Sequence, residues 1–264
     1  LALMLKDYRG NESLSLGEAF EATPENIEAK LMRAELPGGM KLALLPKKTR
    51  GNRVVATFNL HWGDEESKMN RATACGMTSA MLSRGTKQYT REQLRDAFDR
   101  FKVHIDMTAD GVAFETTGNN LADALQLVAE MFRNPIFPEK EFEQLKLAIL
   151  SSIENQRSEP AAQAGIQIER HLMPFTPAIE ERIERINRLT LDEVKRCHRD
   201  FYGSTDAELS IIGDFDPKMV IDAVQQSFGD WRSPKPYQRI STPYQTITAV
   251  DINRETRDKA NAVY

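Results

Sequence analysis

Residues 53–63, RVVATFNLHWG, alternate with a period of two: Val54, Ala56, Phe58, Leu60 and Trp62 fall on one side, and Val55, Thr57, Asn59 and His61 on the other. That is the side-chain period of a β-strand, and an apolar row opposite a more polar one marks a sheet with one buried face. An apolar sheet face needs a covering layer, and the rest of the chain supplies one.

Helical signals follow the strand. A helix is expected over about 70–83. Another starts at Thr90 and sets Leu94, Phe98 and Phe101 on one stripe. KVHIDMTADGVAFETTG reads as a hairpin turning at Ala109-Asp110-Gly111, and an earlier hairpin turns at Pro37-Gly38-Gly39. Pro135, Pro138 and Pro160 divide the helical stretch from Asn120 to about Met173 into three. Helices at about 177–187 and 191–202 lead to a strand, DAELSIIGDFD, with Asp216 or Pro217 opening the next helix. QTITAVDI reads as a last strand after the Pro-rich FGDWRSPKPYQR. The order predicts an α+β fold: a mainly antiparallel sheet containing 54–62, 103–108, 111–118 and 206–213, with helices on one face. Residues 1–28 read as a linker, 29–232 as the domain, and 233–264 as a connection and first strand of a second, truncated domain.

The formal net charge of −4 on 264 residues, with scattered basic residues, gives no electrostatic reason for a nucleic-acid partner. No apolar run reaches the ~18 residues of a membrane span, and LALML is too short for a signal-peptide core. A targeting signal is therefore absent or lies upstream. The missing initiator Met and the end inside NAVY suggest a fragment. Cys75 and Cys197 form no CxxC pair. They are expected as two buried thiols, with a disulfide as the alternative.

The order of short motifs identifies a family. LPGGMKLALLPKK, GDEES, MLSRGTKQYTREQL, NPIFPEKEFEQLKLAIL, LTLDEVKRCHRDFYG and LSIIGDFDPKMVIDAVQQSFGDW span about 29–232. Together they resemble one module of the insulinase/pitrilysin-type zinc proteases, the inverzincins, which include the mitochondrial processing peptidase and large two-module bacterial zinc proteases. GEAFEATPENIEA is similar to the segment that opens the C-terminal module of the long bacterial members. The resemblance implies a processing-peptidase-like metallohydrolase domain.

Active members carry HxxEH on the helix that here reads RATACGMTSAMLSRGT. Two His at i and i+4 share a helix face and hold zinc, the Glu between them is the general base, and a later helix brings a third ligand, a Glu. Aligned on Gly85-Thr86, the His positions fall on Gly76 and Ala80 and the base on Ser79. ILSSIE places the distal ligand at Ser152, and Leu145 stands where a supporting Glu would be. None of these side chains is a strong zinc ligand or a base at neutral pH. Residues 70–86 contain no His, Asp or Glu, so a one-residue shift restores nothing. What remains for the helix is packing. Met77, Met81 and Leu82 form an apolar stripe, and Ala72, Ala74, Gly76, Ser79 and Ala80 are expected to allow close helix–sheet contact.

His61, His104, His171 and His198 include no i, i+4 pair, so no alternative zinc site is expected. HRDFYG shares three letters with a kinase catalytic loop but lacks a Gly-rich phosphate loop. GDFDP lacks EF-hand spacing and reads as a strand-to-helix turn.

The leading expectation is a non-catalytic module of a bacterial zinc protease. It would form a peptide-binding chamber with a catalytic module in the same or a partner chain, with zinc in that module and none here. The alternatives are an active zinc endopeptidase and a structural scaffold. Peptide would be the substrate, with the sheet edge for peptide addition expected near 54–62 or 111–118. The resemblance implies a periplasmic or cell-envelope location. Relatives also carry a Gly/Pro-rich loop after the helix ending HLMPF, which this chain lacks around Phe175-Thr176.

Overall fold

A computed structural model describes residues 16–108, 110–173, 176–241 and 246–253. Six strands form one sheet: β1 (Met32–Glu35), β2 (Lys41–Pro46), β3 (Arg53–Asn59), β4 (His104–Met107), β5 (Gly111–Thr117) and β6 (Glu208–Gly213). Their spatial order is β1-β2-β6-β3-β5-β4. All neighbours are antiparallel except β2 and β6, which run parallel with Leu44 opposite Ile211. The β1–β2 hairpin turns through Gly39, whose φ of +95° is ordinary for glycine and strained for other residues.

The period-two reading of β3 holds residue by residue, with Val54, Ala56, Phe58, Leu60 and Trp62 all buried. The helices are α1 (Pro24–Lys30), α2 (Glu65–Met81), α3 (Arg91–Arg100), α4 (Leu121–Arg133), α5 (Glu139–Gln156), α6 (Pro160–Leu172), α7 (Ile179–Arg188), α8 (Leu191–Phe201) and α9 (Pro217–Phe228). Prolines open α1, α6 and α9, where a missing N–H costs nothing, and Thr90 and Thr190 close capping boxes at α3 and α8. The main core joins the sheet to α3, α4, α8 and α9. At its centre Phe58 stacks on Phe228 at 4.9 Å and meets the edge of Phe132 at 5.2 Å. A second cluster lies between α2, α5, α7 and α8, around Met77, Met81, Phe142, Ile186 and Val194.

Several expectations need correction. The expected linker over 1–28 includes most of α1 (Pro24–Lys30), which forms because Thr23 caps Asn26 N and Pro24 fits the first turn. α2 starts five residues earlier than expected, because Asp64 accepts a hydrogen bond from Ser67 N and serves as its N-cap. Residues 246–252 of QTITAVDI form no strand. Ile247, Val250 and Ile252 are exposed and pair with no sheet edge, and an isolated β-prone run is not a strand. Residues 54–62 and 111–118 do not contain a free edge: β3 pairs with β5 and β6, and β5 with β3 and β4. Among the described residues the edges are β1 and β4. Ala109 of the β4–β5 turn, and Phe175 at the loop expected to be short, lie outside the described residues.

Cys75 and Cys197 are joined, with their Cα atoms 5.4 Å apart, so the expected pair of free thiols is a disulfide. It closes a loop of 122 residues, a constraint on the unfolded chain of about 5 kcal/mol by loop-closure entropy. Spacing along the chain could not reveal it, because the bridge depends on two helices meeting in space.

Candidate functional site

The functional question centres on α2. Its inward side is buried through Ala74, Cys75, Met77, Thr78, Ser79 and Met81. Its outward side carries Ala72 and Gly76, both exposed, with Ala80 half-buried. A methyl group added at Gly76 would meet nothing within 4 Å. The small residues at 72 and 76 therefore do not serve close helix–sheet contact as expected. They leave an open, smooth helix face.

Ser79 sits apart from Gly76 and Ala80. It is buried, and its hydroxyl donates to Thr108 O at 2.8 Å, tying α2 to the end of β4. A serine committed to a carbonyl in this way is a structural anchor. Tyr202 lies against the same serine. Burial raises its hydroxyl well above the ordinary phenol range and the charge of Asp110 adds to this, while the hydrogen bond with Ser79 opposes it. The phenol is thus a neutral hydrogen-bonding group at all physiological pH values. Asp110 in turn accepts from Trp62 Nε1 at 2.6 Å and from Lys68 Nζ at 3.3 Å, and Lys68 lies 3.7 Å over the Trp62 ring. This network fixes the first turns of α2 against the β4–β5 turn.

Ser152 is exposed on α5, next to buried Ile153, and Leu145 is half-buried in the second cluster. The four positions singled out by the resemblance thus carry an open glycine at 76, a half-buried alanine at 80, a serine bound to backbone at 79 and an exposed serine at 152. Among the described residues no group of three or more His, Cys, Asp or Glu side chains could hold a metal ion. The Arg84-Gly85-Thr86 landmark is structural as well. Gly85 adopts a φ of +134°, Thr86 Oγ1 accepts from Gln88 N and Tyr89 N, and Arg84 pairs with Glu141 of α5 at 3.2 Å.

The histidines are dispersed. His61 stacks on Tyr237 and lies 3.5 Å from Glu208, His104 is exposed on β4, and His171 contacts Thr248 O. His198 is the residue with a perturbed site. Burial holds its imidazole below the ordinary histidine range, and its bond to Phe132 O offsets this only in part. Sequence reasoning did not single out the Tyr202–Ser79–Thr108 contact. Adjacency of aromatic and hydroxyl residues could not signal it, because Tyr202 and Ser79 are distant in sequence.

Comparison with known proteins gives a consistent picture. A family profile described as the peptidase M16 inactive domain matches residues 188–264. The uncharacterized zinc protease YmfH of Bacillus subtilis (strain 168) is 23% identical over 229 residues, 81% of this chain and 51% of that protein. The crystal structure of a peptidase M16 inactive domain from Pseudomonas fluorescens superposes with a TM-score of 0.70 at 18% identity, covering 81% of this chain and 54% of that one. The periplasmic protease PqqL from Escherichia coli gives a TM-score of 0.65 at 14% identity, over 86% of this chain and 26% of that one. This chain spans from 17% to 51% of the length of the curated relatives it matches.

Proposed function

We propose that this chain, which is similar over residues 188–264 to the peptidase M16 inactive domain, is a non-catalytic module of a zinc protease of that family, forming one wall of a peptide-binding chamber with a catalytic module. The observation that carries this reading is the outward face of α2. On the alignment by Gly85-Thr86, Gly76 and Ala80 take the places of the two histidines; Gly76 leaves open space, Ala80 is half-buried, and Ser79 is committed to Thr108 O. Zinc catalysis needs three protein ligands before a bound water can be activated. A helix stripped of all of them, yet capped and anchored on both sides, is suited to shape a surface.

β4 supports the same reading. Among the described residues it pairs only with β5; it carries exposed His104 and Asp106 and is tied at its end to α2. An extended peptide adding to this edge would use backbone hydrogen bonds and would need no catalytic side chain. Zinc belongs to the catalytic module in this scheme. A periplasmic or envelope location is favoured by the Cys75–Cys197 bridge, since disulfides persist in oxidising compartments. No helix among the described residues is long and apolar enough to cross a membrane.

The test is to assay a catalytic M16 module from the same source alone and together with this chain, joined or added in trans. Chamber formation predicts a change in kcat/KM for peptide cleavage of tenfold or so. An unchanged kcat/KM, with an unchanged stability of the catalytic module, replaces this reading with that of a scaffold. The chain by itself should retain well under one zinc after dialysis and cleave no peptide. Chelator-sensitive proteolysis by the pure chain would refute the non-catalytic assignment.

A further inference from the structure

Three contacts join α2 to α8 in a single antiparallel seam. Arg71 Nη1 meets Asp200 Oδ2 at 2.6 Å, Cys75 bonds to Cys197, and the Thr78 hydroxyl lies 3.0 Å from Val194 O, its proton shared with Ala74 O at 2.9 Å. Positions 71, 75 and 78 climb one face of α2 at helical spacing, and 200, 197 and 194 descend one face of α8. The rungs are an ion pair at the solvent end, a covalent bond in the middle and a hydrogen bond at the buried end. The seam lies on the side of α2 away from its open face, one residue from Gly76.

We propose that the Cys75–Cys197 bond is a permanent covalent lock, installed by dithiol–disulfide exchange with an oxidised protein disulfide, and that the chain reaches its full stability only after this oxidation. Cys75 and Cys197 are the only two cysteines of the chain, so no other internal pairing competes. They are 3% and 1% exposed in the finished fold, which puts both sulfurs beyond reach of a protein oxidant. Exchange must therefore occur before α2 and α8 close. In the exchange one cysteine thiolate attacks the carrier's disulfide to form a mixed disulfide. The second thiolate then displaces the carrier as a thiolate. Two electrons and two protons leave the chain, and the carrier departs as a dithiol. The same burial protects the finished bond from reductants until the domain unfolds.

The inference stands on the seam and is independent of the chamber-wall reading. A lock at this place holds the outward face of α2 in position with no metal coordination. It also makes a class of partner necessary, a thiol oxidoreductase that accepts electrons from an unfolded substrate.

The experiment expresses the full chain in two forms, one exported to an oxidising compartment and one retained in a reducing cytosol. Both are alkylated in guanidinium without reductant and weighed intact, a readout that needs no folding. The exported chain should label at neither cysteine and be lighter by two hydrogens than its reduced form. Dithiothreitol under native conditions should leave it unlabelled. The thermal midpoint of the oxidised form should exceed that of the reduced form by roughly 5–15 °C. Cys75→Ala/Cys197→Ala should match the reduced form and ignore reductant. Two labelled thiols in the exported chain, or equal midpoints for the oxidised form and the form reduced in the unfolded state, would overturn the proposal.

Discussion

α2 and α6 each carry a glycine with open space above it, Gly76 and Gly165, yet the two helices are held in opposite ways. α2 is capped by Asp64, buries six side chains and is joined to α8 by ion pair, disulfide and hydrogen bond. α6 has no side-chain cap bond and no buried residue, and Ile168 and Leu172 stand 43% and 51% exposed on its surface. The same residue type therefore means different things. On α2 an open glycine is a smooth place on a firmly held helix, whereas on α6 it belongs to a helix that adds little burial to the domain. Hydrophobic content does not separate the two, since α6 is the more apolar in sequence. What separates them is the number of groups on other elements that reach each helix.

Mutations can break or sharpen this contrast. The largest expected effect is on the α8 side of the seam. Phe201→Ala removes a ring that is 2% exposed and 5.1 Å from Trp62, and should cost about 3–5 kcal/mol. Ile168→Ala on α6 should stay within about 0.5 kcal/mol. Urea midpoints at constant m-value report both, and equal losses would erase the distinction.

Asp200→Asn comes next, at about 2 kcal/mol, because Arg71 and Lys235 both donate to Asp200. Burial pushes the Asp200 carboxyl up, and the bonds and charges of Arg71 and Lys235 outweigh it, leaving the group below the ordinary carboxylate range. A depressed carboxylate stabilises the fold above its unfolded pKa, and that contribution is lost as pH falls through the folded value. Acid denaturation of the wild type should thus steepen below pH ~4, and Asp200→Asn should flatten the curve there.

His198 tests the seam from its core side. Its folded pKa lies below the unfolded one, so between the two the unfolded chain binds the extra proton. Stability should fall as pH drops below ~6.5. His198→Gln should remove that slope, whatever it does to stability at pH 8. A slope that survives the substitution would assign it to another group.

The smallest effects compare the two glycines directly. Gly76→Ala and Gly165→Ala should each stabilise by up to about 1 kcal/mol, since both positions are helical and free above. Destabilisation at Gly76 would show that something does pack on the α2 face.

Much of this protein was decided locally, and so could be read from its residues in order. The alternation of β3, the prolines that open α6 and α9, and the Thr90 and Thr190 capping boxes each depend on a few neighbouring positions, as does the absence of His, Asp and Glu from residues 70–86. The rest depended on distant pairings. Periodicity shows that β3 and β5 are strands but carries no strand order, so it could not reveal that both are interior and that β4 is an edge. Small residues on a helix suit close packing or an open face equally well, and only the packing of neighbouring elements turned Ser79 toward Thr108 and left Gly76 uncovered. The thiols of Cys75 and Cys197 became a bond because α2 and α8 bring together residues 122 apart. The physical reason is the range of the forces: caps and periods act within a turn or a strand, while edges, open faces and cross-links are properties of surfaces that exist only once the chain has closed on itself.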